Sequence, residues 1–265
     1  MKRVGTRPVP TKRIVLLGAS NLTRAFPTIV ALLRRLHPEP LDILAAIGHG
    51  RSYGMRTTVG VRSLPGIETC DLWPALAGRP KLPTSALITD LGNDLFYRCT
   101  MPDIFRWVEH SLDRLAAYDA RLAISELPVL NLPSVRPWQY LMLRSIIFPG
   151  CTIPFPTIME HAHELNRWVH STSAGRNLTL LTHRAEWYGF DPIHILRLHW
   201  PSAWTQWLSR LSEVSAHSTP SPDSPLHPSF NIYFQAPARR WLLGHFQQRR
   251  QPSLKFADGT QVSFF

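Results

Sequence analysis

The strongest constraint on the fold is a series of short, mainly apolar segments, most of them stopping at a glycine or a proline. The first is Arg13-Ile14-Val15-Leu16-Leu17-Gly18. Segments at 41–47, 85–91 and 120–127 follow, closed by Gly48, Gly92 and Pro128, and 177–181 is the fifth. Short apolar runs without alternation mark strands covered on both faces. Between them lie stretches of helical period at 23–36, 105–118, 157–173 and 200–211. In the first, Ile29, Leu32, Leu33 and Leu36 form one stripe, and Pro27 sits near the start, where its missing N–H costs little. Strands alternating with helices in this way build a mainly parallel, five-stranded sheet with helices on both sides, an α/β architecture. Sites in such sheets form in the loops beyond the carboxyl ends of the strands.

The 265 residues carry 29 Lys plus Arg against 18 Asp plus Glu, a net charge of +11. That balance raises nucleic acid as a partner. All but four of the basic residues (Lys2, Lys12, Lys81, Lys255) are Arg, and they are dispersed. The densest clusters are only the pairs Arg34-Arg35, Arg239-Arg240 and Arg249-Arg250. A groove that tracks phosphates concentrates its charge and interleaves aromatics, so nucleic acid is not the expected main partner. Three cysteines make no disulfide framework. No apolar run is long enough to span a bilayer, and the stretch 14–19 is too short for a signal peptide. A cytoplasmic location is the expectation. The expected organisation is an arm at 1–12, a main domain at 13–214, a Pro/Ser-rich linker at 215–230 and a C-terminal appendage at 231–265. Asp258-Gly259 in that appendage supplies a hairpin turn.

Four strand ends carry residues with chemical potential. They are Gly18-Ala19-Ser20-Asn21, then Gly48-His49-Gly50-Arg51-Ser52-Tyr53-Gly54, then Asp90-Leu91-Gly92-Asn93-Asp94, and finally Asp191-Pro192-Ile193-His194. Each alone has an ordinary explanation as a cap or a turn. Together they fall at one edge of one parallel sheet. Acyl transfer needs a hydroxyl nucleophile, an imidazole base, a carboxylate that fixes the imidazole, and donors aimed at the oxyanion. Ser20, His194 and Asp191 fill the first three roles. The N–H groups of Ser20 and Gly50 and the Asn93 side chain supply donors.

Taken in order, the blocks around Ser20, Gly50, Asn93 and His194 resemble those of the SGNH (GDSL-type) hydrolases over residues 13–212. The resemblance implies a three-layer α/β/α, flavodoxin-like sandwich and hydrolysis of O-acyl esters through an acyl-enzyme. It assigns Ser20, Asp191 and His194 as the triad and Ser20, Gly50 and Asn93 as the oxyanion hole, with no cofactor and no metal. Gly48 or Gly54 can also be aligned at the second block. Gly50-Arg51-Ser52 is similar to the block of rhamnogalacturonan acetylesterase-like members and hints at a carbohydrate ester; lipid or other small-molecule esters are the wider expectation. The chain departs from the pattern twice: Ala19 stands where the family usually has Asp, and Ile195 follows the His where Pro is frequent. These departures keep open a second reading, an inactive module that binds without turnover. A basic nucleic-acid binder is the third.

Other constellations point less clearly. His161, His163, Glu164 and His170 miss the His-Glu-x-x-His spacing of zinc hydrolases, and residues two apart on a helix do not share a face. Trp187, Tyr188 and Phe190 are either pocket walls or ordinary packing. The proline-rich stretch 131–156 is long for a plain connection and suits a lid. Arg51 and Arg98 are candidates for receiving an acidic substrate.

Overall fold

The computed structural model describes residues 8–97, 99–129, 137–148, 150–212 and 227–265. Arg98, the first seven residues of the expected arm, most of the expected linker and much of the candidate lid lie outside them. The chain runs β1 (Lys12–Leu17), α1 (Ser20–Leu36), β2 (Leu41–Ala46), β3 (Thr57–Val59), β4 (Arg62–Leu64), α2 (Leu72–Ala77), β5 (Thr84–Ile88) and α3 (Met101–Ala116). It continues with β6 (Arg121–Ser125), α4 (Pro137–Ile147), α5 (Phe155–Gly175), β7 (Thr179–Leu181), α6 (Trp200–Ser212), β8 (Arg239–Leu242), β9 (His245–Gln248), β10 (Leu254–Lys255) and β11 (Gln261–Phe264).

Among the described residues, the main sheet has seven strands in the order β10-β11-β2-β1-β5-β6-β7, all parallel except β10. β1 shows why the apolar runs behave as they do. Ile14 and Leu16 face one core with α1 and α6, while Val15 and Leu17 face the other with α2, α3 and α5. The result is a three-layer α/β/α sandwich. A smaller antiparallel sheet, β3-β4-β8-β9, stands beside it.

Two expectations change. The sheet has seven strands rather than five, because the last residues of the chain enter it. β2 is buried along its whole length, so its outer edge needs a partner for its N–H and C=O groups. β11 supplies that partner, running parallel to it from Gln261 opposite Asp42 to Phe264 opposite Ala45. The turn at Asp258-Gly259 then returns β10 against β11. A buried polar seam crosses the same strands. Arg13 Nε donates to Asp42 at 2.9 Å, Arg79 also donates to Asp42, and Gln261 Nε2 reaches it at 3.3 Å. A buried carboxylate held by several donors is tolerable where a lone one is not.

The second change concerns α1, which begins at Ser20 and not at Thr23. Pro27 is therefore inside the helix. An interior proline removes one backbone bond and crowds the preceding turn. Burial of the helix's apolar stripe, from Leu22 and Phe26 through Ile29 to Leu33, offsets that cost.

Phe264 of β11 meets Phe26 of α1 edge-on, with ring centroids 5.1 Å apart. Phe264→Ala should therefore cost about 3–5 kcal/mol, the range for truncating a core aromatic. Urea unfolding checks this. A loss below about 1 kcal/mol would mean that the C-terminal strand adds little to the core.

Candidate active site

Ser20 is the first residue of α1, immediately after the end of β1. Gly18 makes that junction possible: a Cβ there would lie 2.7 Å from Leu22 Cδ1 and 2.9 Å from Thr89 Cγ2. α1 has no cap from its own side chains. Asp90, just past β5 and in a left-handed conformation with φ 60°, provides one from across the sheet. Its Oδ2 accepts the N–H groups of Ala19 at 2.8 Å, Asn21 at 3.1 Å and Leu22 at 3.3 Å, passing over Ser20. An anion here also meets the positive end of the helix.

His194 comes to Ser20 from a loop after β7. Its Nε2 lies 2.8 Å from Ser20 Oγ and its Nδ1 lies 2.6 Å from Asp191 Oδ2. Asp191 Oδ1 accepts the N–H groups of Ile193 at 3.1 Å and His194 at 3.3 Å. With Nδ1–H donating to the carboxylate, the Nε2 lone pair faces the serine hydroxyl. Burial alone would raise the Asp191 carboxyl, but the His194 bond and the two N–H groups outweigh it and hold the group below the usual carboxylate range.

Ser20 opens into a cleft of about 80 Å³ cavity volume, walled by Leu95, Phe96, Leu127, Pro128, Ile158 and Ala162. Asn93 lines this cleft too, and its Nδ2 makes only a long bond, 3.5 Å, to the Arg51 carbonyl. Gly50 is not among the lining residues. It occupies a tight turn with φ +61°, where a Cβ would press on Val59 at 2.7 Å, and its carbonyl accepts the Tyr97 hydroxyl.

Of the alternative glycines, neither Gly48 nor Gly54 lines the cleft either, and Gly54 gives its N–H to Ser52 Oγ at 3.1 Å. A Cβ would fall 2.4 Å from Leu64 Cδ1 at the first and 2.0 Å from the Trp107 ring at the second. Arg51 is wholly buried and gives its guanidinium to the carbonyls of Ile47, Pro65 and Phe265. It cannot meet a substrate. Trp187 and Tyr188 are core residues, and Phe190 is exposed beside Trp138 at 6.0 Å between centroids; none of the three lines the cleft. Among the described residues no cluster of His, Cys, Asp or Glu could hold a metal ion, and no helix is long and apolar enough to cross a membrane.

The sequence reading gave no role to Asn21, Asp90, Glu126 or His183, which all line the cleft. Asn21 and Asp90 belong to the first and third strand-end blocks, so adjacency was an available signal. His183 had none. Burial pushes its imidazole down to about 4, against the Glu126 carbonyl bond that acts the other way.

No protein-family model and no curated protein matches the chain. Solved structures do. A member of the lipolytic G-D-S-L family from Veillonella parvula DSM 2008 aligns with a TM-score of 0.50 at 9% identity, over 77% of this chain and all of that one. This is an SGNH-type hydrolase fold. The esterase EstA from a Pseudoalteromonas species aligns at a TM-score of 0.47 and 13% identity, over 76% of this chain and 97% of its own. TesA aligns at 0.49 and 14%, over 76% and 98%.

Within the SGNH-type fold, the second and third blocks are tied together at Asp94. It is fully buried, accepts from the Ser52 hydroxyl and takes the Tyr53 N–H at 2.9 Å. Burial raises its carboxyl to about 7, and the two bonds only partly oppose this. A folded-state value above the unfolded one stabilises the protein below the unfolded pKa, near 4, and that stability is lost as pH rises towards 7. Urea unfolding between pH 4 and 7 should therefore show a decline that Asp94→Asn flattens. An equally steep decline in the variant would place its origin elsewhere.

Proposed function

We propose that this chain is a serine esterase that hydrolyses short-chain O-acyl esters through an acyl-enzyme. The observation that carries the reading is the continuous line Asp191–His194–Ser20, with 2.6 and 2.8 Å links, opening into an apolar cleft. Ser20 attacks the ester carbonyl while His194 Nε2 takes its proton. Asp191 holds the imidazole and balances its charge. His194 then gives the proton to the departing alcohol oxygen. Water, deprotonated by the same nitrogen, attacks the acyl-serine, and the proton returns to Ser20.

The oxyanion forms against the Ser20 N–H, which Asp90 leaves out of its capping set, and the Asn93 amide, which has only a weak bond to surrender. Such donors act most strongly when already in place before charge develops.

The cleft supports the acyl specificity. A cavity near 150 Å³ accommodates benzene; about 80 Å³ lined by Leu127, Ile158 and Ala162 suits an acetyl or other short chain. The hint of a carbohydrate ester rested on Gly50-Arg51-Ser52, and Arg51 and Ser52 are interior. Selection is therefore placed on the acyl side.

A fluorophosphonate probe should label the wild type at Ser20. Ser20→Ala should abolish labelling and lower kcat/KM on the order of 10⁴-fold or more. Asn93→Ala should cost roughly 10²- to 10³-fold in kcat. Acetyl esters should be turned over faster than decanoyl esters of the same alcohol. A wild type that neither labels nor hydrolyses any of them would leave the inactive binding module as the correct description.

A further inference from the structure

We propose that Asn21 is a positioning residue: its side-chain amide clamps the backbone on both sides of His194 to the helix that carries Ser20, and it depends on the N–H of residue 195. The proposal rests on the esterase reading above. Asn21 Nδ2 donates to the carbonyl of Ile193 at 2.9 Å, and Asn21 Oδ1 accepts the N–H of Ile195 at 2.9 Å. One amide thus holds the carbonyl before the imidazole and the N–H after it. The second hydrogen of Nδ2 goes to Asp90 Oδ1 at 2.9 Å. That contact fixes which way the amide points. Turned over, its oxygen would face a carboxylate and a carbonyl, three acceptors with no hydrogen between them.

The clamp has a consequence at residue 195. Proline, frequent at that place in proteins with this pattern, has no N–H to give. Ile195 has one, and Asn21 takes it. Of the other bonds at the turn, those from Ile193 and His194 N–H go to Asp191 within the loop, the Leu196 N–H goes to the Trp187 carbonyl at 2.8 Å, and the Ile195 carbonyl accepts from Trp200 Nε1 of α6 at 3.0 Å. They shape the loop without fixing it to α1. Asn21 makes that attachment one residue from the nucleophile, so the 2.8 Å reach from Nε2 to Oγ is set by a short path of hydrogen bonds. A displacement of about 1 Å at such a contact can cost on the order of 10²-fold in rate.

The test compares Asn21→Ala, Ile195→Pro, Ile195→Val and the double variant Asn21→Ala/Ile195→Pro with wild type. Rates are measured on an acetyl ester, with melting temperatures and folded fractions recorded. Asn21→Ala should lower kcat by roughly ten- to a hundredfold with KM unchanged. Ile195→Val, which keeps the N–H, should behave as wild type. Ile195→Pro, which removes one of the three bonds that Asn21→Ala removes, should also lower kcat but by no more than Asn21→Ala, and the double variant should be no slower than Asn21→Ala. The proposal is overturned if Asn21→Ala retains wild-type kcat, if KM rises while kcat holds, or if the two losses multiply. Should Ile195→Pro not fold, the kcat-against-KM split of Asn21→Ala decides alone. A wild type without labelling or turnover would overturn the esterase reading, whereas an active wild type matched by Asn21→Ala would overturn only the clamp.

Discussion

The arrangement depends on one carboxylate. Asp90 leaves β5 in a left-handed conformation, which Asp tolerates better than most residues, and seats both oxygens on the start of α1. It accepts three backbone N–H groups and the Asn21 side chain. Hydrogen bonds to a charged acceptor contribute about 1.5–3 kcal/mol each when well formed, enough to offset the strain of the turn. The same contact starts α1 three residues earlier than its apolar stripe requires, which puts Ser20 at the helix end with the adjacent β1–β5 ladder fixing its position. Without that capping set, the orphan N–H groups of the first turn would need other partners.

The second block does a different job from the one its residue types suggest. Arg51, Tyr53 and Ser52 point inward. The Tyr53 hydroxyl lies 2.8 Å from the Thr89 carbonyl and 3.1 Å from the Leu17 carbonyl, just where β1 and β5 end; Leu17 also accepts the Thr89 N–H at 3.0 Å. Arg51 serves three more. Strand ends above a buried sheet leave such acceptors away from water, and each must be satisfied. The polar residues after β2 are thus a plug under the site. This also changes the meaning of the positive charge. Arg13 and Arg51 lie wholly inside, and Arg79 reaches the buried Asp42. Part of the +11 is structural, spent on carbonyls and one carboxylate, and does not mark a surface for anions.

The sheet core was legible because β1, β2 and β5 are mainly apolar without alternation, a pattern no exposed element needs. Ser20, His194 and Asp191, which the structure brings within hydrogen-bond reach of one another, stood out because each sits at a strand end or in a short block. The C-terminal hairpin was legible from its Asp258-Gly259 turn, and the structure pairs Leu254 with Val262 as expected; its place in the main sheet was not, because only the unpaired edge of β2 reveals why Gln261-Val262-Ser263-Phe264 belongs there. The start of α1 was misplaced because its cap comes from Asp90, far away in sequence, and local rules look for the cap at the preceding residue. His183 and Glu126 entered the cleft by the same non-local route, through β6 and the segment after β7.

The two departures from the family pattern follow the same logic. Where the pattern has an acid before the serine, this chain has the small, buried Ala19, and Asp90 places a carboxylate at the start of the helix from across the β1–β5 ladder. A proline after the histidine stiffens one side of the loop through its ring; Ile195 can instead be held through its N–H. In each case the constraint is met in space by a residue that a linear motif does not inspect. No protein-family model matches this chain, while a comparison of backbones at 9% identity still aligns three quarters of it. What such a comparison reads is the path of the chain. Ser20, His194 and Asp191 meet on that path through hydrogen bonds that this sequence makes with its own choice of residues.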